Sequence, residues 1–183
     1  MKILVVVDMQ NDFIDGVLGT PEAQAIVPKV VEKIKTFDGA VFLTQDTHFE
    51  NYLDTLEGKN LPVPHCIFDT DGWELNPLIR EALNSIFKTN WLFNDCVLKI
   101  SFGSVHMAAQ FQRLHEIYDL ESIEFIGVCT DICVISNVLL TKAHLPDVPI
   151  IVDASCCAGV TPETHKNALA AMKQCQIIVT NEE

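Results

Sequence analysis

The sequence predicts an α/β protein, a three-layer, doubly wound domain built around a six-stranded parallel sheet. Three observations support this. Six short, largely β-branched apolar runs punctuate the chain, they are continuous rather than alternating, and stretches with helical spacing separate them. Strands covered by helices on both faces have that pattern, because neither side of such a strand meets water.

In chain order, the first strand is expected over Ile3–Val7 and the second over Ala40–Thr44. A helix over Ala23–Phe37 lies between them, with Ile26, Val30, Ile34 and Phe37 on one face. Thr20-Pro21 supplies its start, a capping hydroxyl before a proline whose missing N–H costs nothing there. Gln45–Gly72 follows as a long connection with Gly58, Pro62, Pro64, two histidines and several carboxylates, and connections of that length are more often functional than idle. A helix over Leu78–Ile86, a strand over Val97–Lys99 and a helix over Ser104–Ile117 come next. The strand Ile123–Val128 leads into a helix over Cys133–His144. Strand Ile150–Val152, a helix over Pro162–Met172 started by Thr161-Pro162, and strand Ile177–Val179 complete the series.

The 183 residues suit one domain spanning 1–183, with no internal repeat or linker-like shift in composition. A mean hydropathy of +0.24 is too apolar for disorder, yet no apolar run is long enough to span a bilayer. Twelve Lys and Arg against 25 Asp and Glu give a net charge of −13, a field that repels nucleic acid and anionic lipid. The apolar start Ile3–Val7 ends at Asp8 without a small-residue cleavage site, so a cytoplasmic protein is expected. Seven cysteines without paired C-x-x-C spacing suggest neither a disulfide framework nor a zinc ribbon.

Ligands of open parallel sheets bind beyond the carboxyl ends of the strands. The residues expected there are Asp8, Asp46 with His48, Lys99, Cys129 with Cys133, and Asp153. Cys133 follows the fourth strand where a helix begins, a place that lowers a thiol pKa and offers amide donors to an oxyanion. An arbitrary cysteine beside Val134 and Ile135 is more often a small buried hydrophobe, and Cys129 with Cys133 could also be read as metal ligands, although no second pair matches them. Asp8 could merely cap a turn, or serve as the base for a thiol and the acid for a leaving amine. Lys99 is a snorkelling surface lysine or, pointing inward, the cation that holds Asp8. Asp46, His48 and His65 are the ligand types of an open divalent-metal site; Glu57 is a fourth by spacing, with Asp54 and Asp69 as competitors. Phe13 and Trp73, expected in loops near the same edge, are core aromatics or stacking partners for a planar ligand.

These residues resemble a known group. I-L-V-V-V-D-M-Q-N-D-F at 3–13, Asp46-Thr47-His48, His65-Cys66, Lys99 with Phe102, and G-V-C-T-D-I-C-V at 127–134 followed by V-D-A-S resemble the isochorismatase-like cysteine hydrolases, and among them the nicotinamidases or pyrazinamidases. The resemblance implies a triad of Asp8, Lys99 and Cys133. It implies a cis peptide before Cys129, an oxyanion hole from the amides of Cys129 and Cys133, and a divalent metal (zinc, iron or manganese) on Asp46, His48 and His65. It also implies a small-molecule amide substrate, hydrolysed through a thioester, with Phe13 and Trp73 holding the ring, and assembly into a homo-oligomer. Cys129 and Ile132 depart from the small residue and the aromatic common at their positions, which bears on substrate preference. Two other readings stand beside this one: a related amidase for N-carbamoyl substrates that needs no metal, and a non-catalytic protein that binds or senses through its thiols.

Overall fold

Alternate residues of strand β1 (Lys2–Val7) point into two different cores, which is why its sequence is apolar from Ile3 onward: Ile3, Val5 and Val7 join one, Leu4 and Val6 the other. The computed structural model describes residues 1–87 and 95–182. After β1 come α1 (Asn11–Ile14), α2 (Pro21–Thr36), β2 (Ala40–Asp46), a 3-10 turn at Tyr52–Asp54, α3 (Leu56–Asn60) and α4 (Pro77–Phe87). They are followed by β3 (Asp95–Lys99), α5 (Val105–Tyr118), β4 (Ser122–Val128), a π-helical turn at Thr130–Val134, α6 (Ile135–His144), β5 (Ile150–Ala158), α7 (Pro162–Gln174) and β6 (Ile178–Thr180).

The six strands form one all-parallel sheet in the order β3-β2-β1-β4-β5-β6, as expected. Helices α2 and α4 cover one face, burying Ile26, Val30, Ile34, Ile79 and Leu83; α5, α6 and α7 cover the other with Met107, Phe111, Val138, Leu169 and Met172. The chain leaves β1 toward β2 and later returns to β4 on the opposite side, so the order reverses between β1 and β4. The loops diverge at that point and leave a crevice. The helix starts carry the expected caps. Thr20 Oγ1 accepts from Ala23 N at 3.0 Å, and Thr161 and Thr164 form a reciprocal capping box.

Four local expectations are corrected. The long connection after β2 is built, with α3, the 3-10 turn, and a parallel bridge in which His48 N donates to Cys66 O and Phe68 N to His48 O. The helix expected from Cys133 begins at Thr130 as a wide turn, and Phe13 lies on α1 rather than in a loop. Strand β5 runs nine residues to Ala158, through a register irregularity opposite Phe125–Gly127, so Asp153 lies within the strand and not at its end. There Asp153 accepts from Lys33 Nζ at 2.7 Å, and Lys33 also reaches Glu124 at 2.8 Å, tying α2 to β4 and β5. Burial raises the Asp153 carboxyl, but the bonds from Lys33, Asn181 and Ser155 outweigh it and leave it below the usual range. Asp153→Ala is expected to cost about 2 kcal/mol, less than a fully orphaned charge because Lys33 keeps Glu124. A lowered folded-state pKa means this increment is present at neutral pH and fades as the pH falls through the acidic range. Urea midpoints at pH 7 and pH 3 check both statements; equal losses at the two pH values would contradict them.

Candidate active site

The crevice forms where β1 and β4 approach most closely. Gly127, opposite Val7, has a φ of +115°, and a Cβ there would strike the Val7 backbone, so only glycine fits. Just beyond, Asp8 takes the left-handed conformation (φ 48°), which an aspartate tolerates better than a branched residue. Its amide donates to Thr44 O at 3.1 Å, and Thr44 Oγ1 donates to Asp8 Oδ1 at 2.6 Å. The Val128–Cys129 peptide is cis. In the π-helical turn that follows, Val134 N donates to Cys129 O at 3.0 Å, so the amide of Cys133 precedes the closing bond of the turn.

Lys99, at the end of β3, reaches under this edge. Its ammonium lies 2.7 Å from Asp8 Oδ2, 3.2 Å from Asp46 Oδ1 and 3.6 Å from Cys133 Sγ. Asp8, Lys99 and Cys133 are all buried, so the structure brings the three residues together and Lys99 does not snorkel. Burial lowers the lysine pKa, but Asp8, Cys133 and Asp46 more than reverse this, and the ammonium stays charged. Burial raises the Asp8 carboxyl, against the pull of Lys99. The Cys133 thiol is pushed well up by burial and further by Asp8, with Lys99 opposing. The lowered thiol pKa expected from a helix start is therefore not found, because burial beside a carboxylate dominates. At rest the thiol keeps its proton, next to a carboxylate that can take it.

On the β2 side, Asp46, His48, Glu57 and His65 place one ligand atom each within 4.8 Å of all the others. Pair separations are 3.1 Å (His48–Asp46), 3.5 Å (His48–Glu57), 3.6 Å (His65–Asp46) and 3.8 Å (His65–Glu57). Four ligands at zinc bond lengths in tetrahedral array lie about 3.4 Å apart, close to these four separations, so the quartet is of the size and donor type that a divalent ion needs. Val63 O can only accept, so His65 Nδ1 carries the proton in their 2.8 Å hydrogen bond, which leaves Nε2 as the nitrogen that faces Asp46 and Glu57. Asp54 and Asp69 are not among these donors.

A cavity of about 320 Å³ runs between the metal donors and Cys133. Phe13, Cys129, Ile132, Asp46, Glu57 and His65 line it, as do Leu18, Phe102 and Val160. Phe13 also packs edge-on against His65, ring centroids 5.5 Å apart. Trp73 does not line the cavity. Its indole N–H donates to Thr47 Oγ1 at 3.0 Å and its ring packs on Phe68, so it braces the metal loop from behind. Three contributors escaped the sequence reading. Gln10 brackets Asp46, accepting from its amide at 2.7 Å and donating to its carbonyl at 2.8 Å. Asp12 Oδ2 accepts from Cys66 N at 2.7 Å, and Tyr52 packs on both histidines. Gln10 and Asp12 lie inside the motif at 3–13, and that placement is the one signal in the sequence that points to them.

A parallel sheet in this order, with such a crevice at its switch point, places the chain in the class of doubly wound α/β proteins. The chain belongs to the isochorismatase family: the isochorismatase domain model matches residues 2–183. Among solved structures it resembles nicotinamidase/pyrazinamidase PncA from Bacillus subtilis, with a TM-score of 0.82 and 24% identity over 98% of this chain and 99% of that one. It also resembles the pyrazinamidase/nicotinamidase of Streptococcus mutans UA159 (TM-score 0.79, 25% identity, 98% and 99% covered). A third is the pyrazinamidase of Pyrococcus horikoshii in complex with zinc (TM-score 0.74, 25% identity, 99% of each chain). No curated protein sequence matches this chain. Among the described residues, no helix is long and apolar enough to cross a membrane.

Proposed function

We propose that the chain is a cysteine amidohydrolase that converts nicotinamide, and analogues such as pyrazinamide, to the acid and ammonia, serving NAD salvage in the cytoplasm. The observation that carries this reading is the buried ammonium of Lys99, which joins the thiol, the carboxylate base and the metal quartet in one cluster. The nicotinamidases and pyrazinamidases among its structural neighbours, one of them with zinc, support the choice of substrate. An N-carbamoyl amidase would have no use for the quartet.

Asp8 accepts the thiol proton as Cys133 Sγ attacks the carboxamide carbon, so the thiolate forms only as the new bond does. The amides of Cys129 and Cys133 receive the oxyanion, and Lys99 sets one positive charge between the two buried carboxylates. Asp8 then protonates the departing nitrogen, deprotonates a water, and lets it cleave the thioester. Asp46, His48, Glu57 and His65 would hold a divalent ion, zinc in the simplest case, whose Lewis acidity at that end of the cavity would favour an electron-rich heteroaromatic ring there and so help to orient the amide. Phe13, Phe102 and Ile132 enclose the ring and exclude water.

Ammonia release from nicotinamide by metal-loaded protein tests this reading. Turnover is expected, with a loss of at least tenfold after chelation that is restored by adding the metal back. Full activity after chelation, with no metal found by elemental analysis, would move the protein to the metal-free amidases.

A further inference from the structure

The substrate proposed above fills only part of the cavity. At one end Asp46, the last residue of β2, lines it together with His65, and at the other Ala158, the last residue of β5, lines it together with Val160. With β1 and β4 between them, these ends are three strand spacings apart, about 14 Å. Cys133 follows β4, one spacing (about 5 Å) short of the far end. A single six-membered ring held at the metal end and presenting its carboxamide to Cys133 leaves the β5 end free.

The two ends differ in chemistry. The charged residues that line the cavity, Asp46, Glu57 and His65, all belong to the metal end. The far end is walled by Leu18, Thr20 and Ala23 around the start of α2 and by Ala158 and Val160. These are small or aliphatic groups without charge. At the trigonal carboxamide carbon the ring points to the metal and the oxygen to the amides of Cys129 and Cys133. The nitrogen is the one remaining substituent, and a group attached to it heads away from the metal.

We propose that this juxtaposition of nucleophile and apolar end space is a leaving-group compartment, so that the protein also hydrolyses secondary carboxamides bearing a small, uncharged apolar group on nitrogen. The proposal rests on the amidase reading above. Cys133 Sγ bonds to the carbonyl carbon, the C–N bond breaks, and the nitrogen leaves as a primary amine with the proton that Asp8 took from the thiol. Water then supplies the hydroxyl of the acid and returns the proton to sulfur.

The test compares kcat/KM for nicotinamide and N-ethylnicotinamide, following the appearance of nicotinate. The secondary amide is expected within about tenfold of the primary one in the unmodified protein. Val160→Trp, at a position 47% exposed and therefore tolerant of bulk, is expected to lower the ratio of secondary to primary by roughly 30-fold. Leu18→Trp fills the same space from the opposite wall and should act alike. A secondary amide slower by more than about a hundredfold in the unmodified protein, or a ratio unmoved by both variants, overturns the compartment while leaving the amidase intact. Failure to hydrolyse either amide removes the amidase reading and the compartment with it.

Discussion

The Cys133→Ala protein is expected to release no ammonia from nicotinamide above background, a loss of at least about 10⁴-fold in kcat. Asp8 does not stand in for the sulfur: it is fully buried and paired with Lys99 at 2.7 Å, and a carboxylate attacking the amide would form a mixed anhydride rather than a thioester. Cys133→Ser should fail almost as completely: a carboxylate that removes a thiol proton with difficulty will not remove one from an alcohol. Alanine deletes one atom from the edge of a core, so the circular dichroism spectrum and the urea midpoint should stay close to those of the parent. Activity within tenfold of the parent would exclude the Cys133 thiol from the chemistry and turn attention to Cys129, which lines the same cavity.

Lys99→Met is expected to damage folding and chemistry together. The ammonium is the cation between Asp8 and Asp46, which are 0% and 2% exposed, and removing it leaves two buried carboxylates facing each other. Breaking a buried ion pair from one side costs about 3–5 kcal/mol, and here one cation serves two anions. A fall of about 3 kcal/mol or more in unfolding free energy is expected from urea titration, with turnover reduced at least about 10³-fold. Lys99→Arg should not rescue it, since a planar guanidinium cannot place one point charge among two carboxylates and a sulfur. Parental stability in Lys99→Met would mean that one carboxylate is protonated in the resting protein, and the role of Asp8 as base would fall.

Much of this was legible in the chain because the chemistry lies where apolar runs stop. Five of the residues expected at the sheet edge, Asp8, Asp46, Lys99, Cys129 and Cys133, lie at or just past the ends of β1 to β4. Asp153 failed the same reasoning because β5 continues through an irregularity, and an apolar run broken by a buried acid reads as finished. The thiol pKa failed for a different reason. A helix start is visible in sequence, but the depth of burial and the carboxylate beside it come from β1 and β3, distant in the chain. Trp73 illustrates a third limit: an aromatic near the right edge can face either way, and its hydrogen bond to Thr47 decided the matter. Gln10 was invisible because a buried amide has no signature apart from the backbone it satisfies.

Strand β3 forms an edge of the sheet, pairing with β2 on one side, and its residues before Lys99 are largely exposed. Amides in such a strand exchange with solvent through openings that cost less than global unfolding. Each opening withdraws Lys99 from Asp8, Asp46 and Cys133, while β1 and β4 stay locked in the middle of the sheet. The site thus has a shorter lifetime than the scaffold that carries it, and on heating, catalytic competence should be lost several degrees before the cores melt.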